Sequence, residues 1–291
     1  MTDTSSNRIN LTIFFLTALL GGGTSVAVRF SNQELAPFWN AALRFAASGL
    51  LFWLILLFKR IRLPGPRDVL ILALTGFCSV GVSFALLYLA FVDLPASLGS
   101  VIIAMGPLIT FFLAILHGME QFRWQSLLGG LIALTGIALA VQAQLSATVP
   151  VRAVLTLMLG STIAAEGNII MKRLSPTSDP AATNAITLSA GLVLLLLLSF
   201  FFGEAHLLPS RLATWIAVLY AIIPGTLLTF YMFVWLLGRW PASSTHYAVM
   251  LFPVVATTAG VLLGHEQVTI RFLVGAALVL GGVWVGALMK R

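Results

Sequence analysis

The sequence predicts an all-α integral membrane protein: ten transmembrane helices in two inverted five-helix repeats around a central cavity. Three observations predict it. Of 291 residues, 59% are hydrophobic and 9% charged, against roughly 25% charged in an ordinary soluble domain, and lipid is the solvent that tolerates such a balance. Apolar runs close to the ~20 residues of a bilayer-crossing helix recur along the whole chain. The second half of the chain also repeats the first.

The apolar segments fall at 10–29, 36–58, 68–91, 96–116, 124–141, 151–171, 181–203, 212–237, 243–263 and 269–288. Ten helices of this length leave no room for a separate soluble domain. The first has the outline of a signal peptide, Arg8 followed by an apolar stretch ending in Ser25-Val26-Ala27, but its part in the repeat predicts that it is retained. Cys78, the one cysteine, lies inside an apolar run and cannot form an internal disulfide; packing is its expected role.

Basic residues set the expected orientation. Arg8, Lys59, Arg60, Arg62, Arg67, Arg123, Lys172, Arg173, Arg239, Lys290 and Arg291 fall on one side of the ten-helix path. Arg29, Arg152, Arg211 and Arg271 fall on the other, and Arg44 lies within the second helix. The larger group belongs in the cytoplasm, which places both termini inside a bacterial inner membrane. The net charge of +7 therefore reads as a topology signal, with no nucleic-acid partner expected.

Internal duplication is the most informative feature. An offset of 146 lays Pro95-Ala96-Ser97 on Pro241-Ala242-Ser243, Pro107 on Pro253, Gly118 on Gly264, Glu120 on Glu266, Gln121 on Gln267, Gly129 on Gly275 and Gly136 on Gly282. Pro, Glu and Gln are uncommon here, so shared hydrophobicity does not explain the match. In the first two helices of each half the offset is 143, pairing Arg29 with Lys172 and Pro37 with Pro180. Residues 1–145 and 146–291 are thus expected to hold five helices each. An odd number makes the second copy enter from the opposite face, the inverted-repeat architecture that lets a central site open to either side in turn.

Five plus five helices, with Pro-Ala-Ser, a mid-helix Pro, Gly-x-Glu-Gln and a Gly-rich last helix in each half, resemble the drug/metabolite transporter superfamily, EamA type. The resemblance covers essentially the whole chain. It implies an exporter or exchanger of amino acids or other small metabolites, with a cavity between the halves; some members export aromatic or other neutral amino acids. Members often carry a Trp-Gly pair in the first helix, where this chain reads Gly21-Gly22-Gly23.

Helical spacing puts Phe77, Gly81, Phe84, Tyr88 and Phe91 on one face of the third helix, and Tyr220, Pro224, Leu228, Tyr231 and Trp235 on one face of the eighth. Such faces suit a pocket for an apolar or aromatic side chain, although packing against neighbours or lipid is the competing reading. Tyr88, Tyr231 and Trp235 are the candidates for substrate contact, because a buried phenol or indole needs a hydrogen-bond partner. Pro107, Pro253 and Pro224 are expected helix breaks, each freeing a mid-membrane carbonyl for a cavity, a hydroxyl or a substrate amine. Ser100 and His246, equivalent by the 146 offset, join them as candidate substrate residues.

Ionisable groups within spans are costly, ~2.5–3.5 kcal/mol for a central Arg or Asp, so Arg44, Glu166 and His246 should face the interior. Arg44 either binds a substrate carboxylate or snorkels outward. Glu166 is the possible coupling carboxylate, or a partner for a nearby base such as Lys172. His246 could simply pack or cap. The small faces Gly129/Ala133/Gly136/Ala140 and Gly275/Gly282/Gly286 allow close helix approach, within a monomer or in a weak homodimer.

No P-loop is present, and neither a cofactor nor a metal is expected. An intramembrane enzyme would show paired aspartates, a His-Glu-x-x-His helix or a core Ser/His pair; here His265-Glu266-Gln267-Val268 leads to Thr269, and no Asp lies deep in a span. A passive channel would show a more polar lining. The expectation is a secondary transporter, exporting or exchanging neutral or aromatic amino acids by alternating access.

Overall fold

The structure is a computed structural model that describes residues 4–119, 121–122, 124–143, 149–174, 179–240, 245–264 and 268–285. Among them it is entirely helical. The elements are α1 (Thr4–Gly22), α2 (Thr24–Ser31), α3 (Pro37–Lys59), α4 (Pro66–Gly76), α5 (Ser83–Asp93), α6 (Ala96–Ile103), α7 (Gly106–Leu116), α8 (Trp124–Ala143), α9 (Val151–Leu174), α10 (Pro180–Phe201), α11 (Leu212–Ile222), α12 (Thr229–Leu237), α13 (Phe252–Gly264) and α14 (Ile270–Val283). Two π-helical turns, Phe77–Val82 and Ile223–Leu228, join α4 to α5 and α11 to α12, and a 3₁₀ turn, Tyr247–Leu251, leads into α13.

Among the described residues seven stretches are long and apolar enough to cross a membrane: Ile9–Ser31, Pro37–Lys59, Pro66–Asp93, Ala96–Leu116, Val151–Lys172, Pro180–Phe201 and Leu212–Leu237. Leu127–Ala140, Ala248–Leu263 and Ile270–Val283 are shorter apolar helices. Together they occupy the ten apolar segments of the sequence. Burial is inverted relative to a soluble protein: Leu197 and Leu262 are 59% and 70% exposed, while Arg44 is 1% exposed. Only a hydrocarbon surround makes that distribution favourable, so the protein is a multi-pass membrane protein.

The helices pair in a regular pattern. α3 packs on α10, α8 on α14 and α6 on α13, each a segment against its repeat equivalent, whereas α2 packs on α11 as α9 does on α4, and α5 on α9 as α12 does on α1. Lipid supplies no hydrophobic force between helices, so close van der Waals approach decides the contacts. A Cβ on Gly136 would lie 2.6 Å from the Gly275 carbonyl, and one on Gly282 would lie 2.5 Å from the Gly129 carbonyl. The small faces of the fifth and tenth segments therefore meet each other within the chain.

Proline and glycine punctuate the spans where the sequence indicates. The first is interrupted at Gly23, and the fourth turns at Ala104 and Met105 before Pro107 in the first turn of α7. The ninth passes from the 3₁₀ turn into α13 at Phe252-Pro253. In the Gly21-Gly22-Gly23 run, a Cβ on Gly21 would lie 2.4 Å from the Phe252 ring and one on Gly23 2.3 Å from the Tyr220 hydroxyl, which donates to the Leu20 carbonyl. Glycines there admit α13 and α11 against the first span.

Two carboxylates tie the halves together at helix N-termini, where unpaired N–H groups favour an anion. Glu204 accepts from the N–H groups of Phe38 and Trp39 at the start of α3 (3.1 and 2.7 Å). Glu34 accepts from those of Ser210 and Arg211, just before α11. The second Pro-Ala-Ser, at 241–243, and Glu120, Glu266 and Gln267 of the repeat motif lie outside the described residues.

Candidate functional site

A cavity of roughly 220 Å³ lies between the halves. Its walls come from repeat-related positions: Ser79 with Gly225, Phe84 with Phe230 and Ile103 with Val249 are 146 apart, while Ser25 with Asn168, Val28 with Met171 and Arg44 with Thr187 are 143 apart. A site shared this evenly sits where the two units meet. Both π turns contribute to it, and the i→i+5 pattern that they represent recurs at functional sites.

Arg44, on α3, is the one cation among the described lining residues. Its Nε donates to Thr226 Oγ1 at 2.6 Å, one terminal nitrogen donates to the Gly225 carbonyl at 3.1 Å, and the other reaches the Tyr88 hydroxyl at 3.4 Å. Both strong acceptors belong to the second π turn. Pro224 has no N–H and Gly225 has no Cβ, so this turn exposes backbone that a regular helix would cover. Thr226 and Thr229 return their hydroxyl protons to the Ala221 and Pro224 carbonyls, both at 2.7 Å. The guanidinium carbon lies 5.1, 5.4 and 6.0 Å from the ring centroids of Phe45, Phe84 and Phe230, within cation–π range.

A guanidinium carries five N–H bonds, and Arg44 makes no ion pair with a carboxylate among the described residues. The site can thus accept an anion without breaking an existing pair. Nearby, the buried Thr24 hydroxyl has no hydrogen-bond partner among the described residues, and it lies 2.8 Å from where a Cβ on Gly225 would stand. At the other polar end of the wall, His246 is buried, with Asn168 Nδ2 3.3 Å from its Nε2 and the Phe233 ring edge-on at 5.1 Å.

The remaining sequence candidates separate. Tyr88 is fully buried and is not itself among the residues that line the cavity, but its hydroxyl meets Arg44. Tyr231 is 37% exposed and is not among the residues that line the cavity. Trp235 is not among them either, and its ring stacks under the Arg239 guanidinium at 3.5 Å. Beyond the second π turn, Phe230, Phe233 and Val234 take the inward face. Ser100 is buried and donates to the Ser97 carbonyl at 2.7 Å instead of facing the cavity.

Pro107 and Pro253 break their spans as expected, and the cavity wall includes the residues four before each, Ile103 and Val249. Pro224 shapes the π turn that holds Arg44. Glu166 pairs with His117, Oε1 to Nε2 at 2.6 Å, rather than with Lys172, and its other oxygen is buried without a partner among the described residues. Neither Glu166 nor His117 lines the cavity. His117, Thr24, Gly225, Thr226 and Phe230 were not singled out from sequence. Pro224-Gly225-Thr226 in mid-span was the available signal, since only a backbone irregularity accommodates it.

The comparisons agree on kind. A protein of Escherichia coli described as an uncharacterized inner membrane transporter, YedA, is 28% identical over 259 residues, covering 88% of this chain and 83% of that protein. A probable amino-acid metabolite efflux pump of Salmonella typhimurium is 26% identical over 283 residues, covering 93% and 92%. A crystal structure shares the fold at a TM-score of 0.73 and 21% identity, over 98% of this chain and 99% of the other. The pattern of the EamA-like transporter family matches twice, over residues 8–142 and 151–287. With both halves matched, the chain belongs to the EamA-like transporter family.

Proposed function

We propose that this transporter exports or exchanges neutral or aromatic amino acids by alternating access, with both termini in the cytoplasm and its second five-helix unit inverted relative to the first. One observation carries the reading: a buried guanidinium, free of any carboxylate among the described residues, set in a wall of phenylalanines. A carboxylate on Arg44 gains charge-assisted hydrogen bonds, and Phe84 and Phe230 offer the apolar body a complementary surface. The Salmonella relative's description supports the class and the outward direction.

Cavity walls drawn evenly from both units support a rocking exchange about a fixed central site. Catalysis and a passive pore are the competing functions. Radiolabelled phenylalanine and leucine flux in proteoliposomes, with and without an imposed pH gradient, separates them. The reading requires saturable flux, trans-stimulation by internal substrate and recovery of the label unchanged. Chemical conversion would make the protein an enzyme, and non-saturable leak would make it a channel.

A further inference from the structure

We infer that the cavity recognises its substrate by the carboxylate end alone, so that the preferred chemical class is the amphipathic monocarboxylate, with or without an α-ammonium group. This deepens the amino-acid reading and rests on it. A site that holds both ends of a zwitterion strongly gains from a fixed anion as well as a fixed cation, because a desolvated ammonium matched only by neutral dipoles recovers less of its hydration.

Arg44 supplies the cation. Every described carboxylate is committed elsewhere. Glu34 and Glu204 hold backbone N–H groups at the starts of α11 and α3, and Asp179 caps α10 through Ala181 at 2.8 Å. Glu166 holds His117, Asp93 lies 3.6 Å from Arg152, and Asp68 sits in the first turn of α4. None of the six is in the cavity wall.

The polar groups beside Arg44 fit the same pattern. The unpartnered Thr24 hydroxyl can donate to a carboxylate oxygen. Thr226 Oγ1 already accepts from Arg44 and donates to Ala221, and the Gly225 carbonyl already accepts from Arg44. Both acceptors that touch Arg44 are thus already shared with it, and the other polar wall residues, such as Asn184 and Thr187, are neutral. The Phe45, Phe84 and Phe230 rings, the other groups that attract a cation, already face the guanidinium.

The test is calorimetric binding to the full chain in lipid nanodiscs near pH 7.5, with four probes of one aromatic body: phenylalanine, 3-phenylpropanoate, phenylalaninamide and 2-phenylethylamine. Binding avoids the membrane leak that neutral forms of such probes show in flux assays. We expect 3-phenylpropanoate to bind at least as tightly as phenylalanine, and the two probes without a carboxylate to bind roughly ten- to a hundredfold more weakly, the loss of a charge-assisted contact. Arg44→Gln should erase that gap.

The wild-type comparison decides the matter even if the variant fails to fold. Phenylalanine binding tenfold or more tighter than 3-phenylpropanoate overturns the inference and leaves the amino-acid reading standing. The amine binding as tightly as the carboxylates, or no carboxylate binding at all, overturns both.

Discussion

Arg29 and Lys172, equivalent by the 143-residue offset, perform the same task in the two halves. Arg29 donates to the Phe91 and Val92 carbonyls at the end of α5, and Lys172 donates to the Leu237 and Trp240 carbonyls at and just beyond the end of α12, at 2.7 and 2.6 Å. Phe91 and Leu237 are themselves 146 apart. A cation at a helix C-terminus answers carbonyls that lack intrahelical partners. Lys172→Met and Arg29→Met should each cost about 1–3 kcal/mol in reversible unfolding by denaturing detergent, and Lys172→Arg should recover most of the loss. Equal stability of the methionine variants would show these contacts to be incidental.

Tyr88 and Tyr231 should behave oppositely despite sharing an aromatic type. Tyr88→Ala opens a void beside Arg44 and should weaken phenylalanine binding about tenfold or more, while Tyr88→Phe, removing a hydroxyl at 3.4 Å, should change it less than about threefold. Tyr231→Ala, outside the cavity wall, should leave affinity within about twofold. Binding of a radiolabelled substrate to each purified variant checks the series. A large loss at Tyr231 would restore that residue to the site.

Positions where sequence and fold part are instructive. The spans, the duplicated units, the breaks at Pro107 and Pro253 and the burial of Arg44 were legible because composition, repetition and the cost of a buried charge each act locally. Tyr231 and Trp235 fall on a stripe drawn at 3.6 residues per turn, and neither is among the residues that line the cavity. Phe230, one residue from Tyr231, takes the inward position. The His117 partner of Glu166 comes from a span 49 residues away, and no local spacing joins them.

The orientation expected from the basic residues is open to direct test. Ser210 and Gly65 are both exposed and lie in different connections. In a Cys78→Ser background, Ser210→Cys should react with an impermeant thiol reagent added outside intact cells, and Gly65→Cys should react only after permeabilisation. The reverse pattern would turn the molecule over.

The Glu34 anchor carries a pH signature. The hydroxyls of Ser210 and Thr214, and then the Ser210 N–H, hold its carboxyl down from 4.5 to about 2. A depressed carboxyl contributes fully above its ordinary value and loses that contribution as pH falls through the lowered one. Between pH 5 and 8 the anchor should therefore be constant. Amide exchange at Ser210 and Arg211, corrected for intrinsic rate, should be flat across that range, and Glu34→Gln should speed it. Protection that changes steeply near pH 6 would point to a different titrating group.

Energy coupling turns on Glu166. A carboxylate that carries protons in exchange for substrate must meet the substrate pathway in at least one state, whereas this one faces His117 outside the cavity wall. Its buried, unpartnered oxygen makes the pair costly to disturb, so stability rather than transport is the property it should control. Glu166→Gln keeps the shape and removes the charge. We expect the variant to retain at least about half of wild-type exchange, to lose some thermal stability, and to respond to an imposed pH gradient as the wild type does. His117→Gln should match it, since either change breaks the same pair. If the wild type instead concentrates substrate against its gradient when a pH difference is imposed, and Glu166→Gln abolishes only that uphill component, then Glu166 is the proton carrier and facilitated exchange is the wrong mechanism.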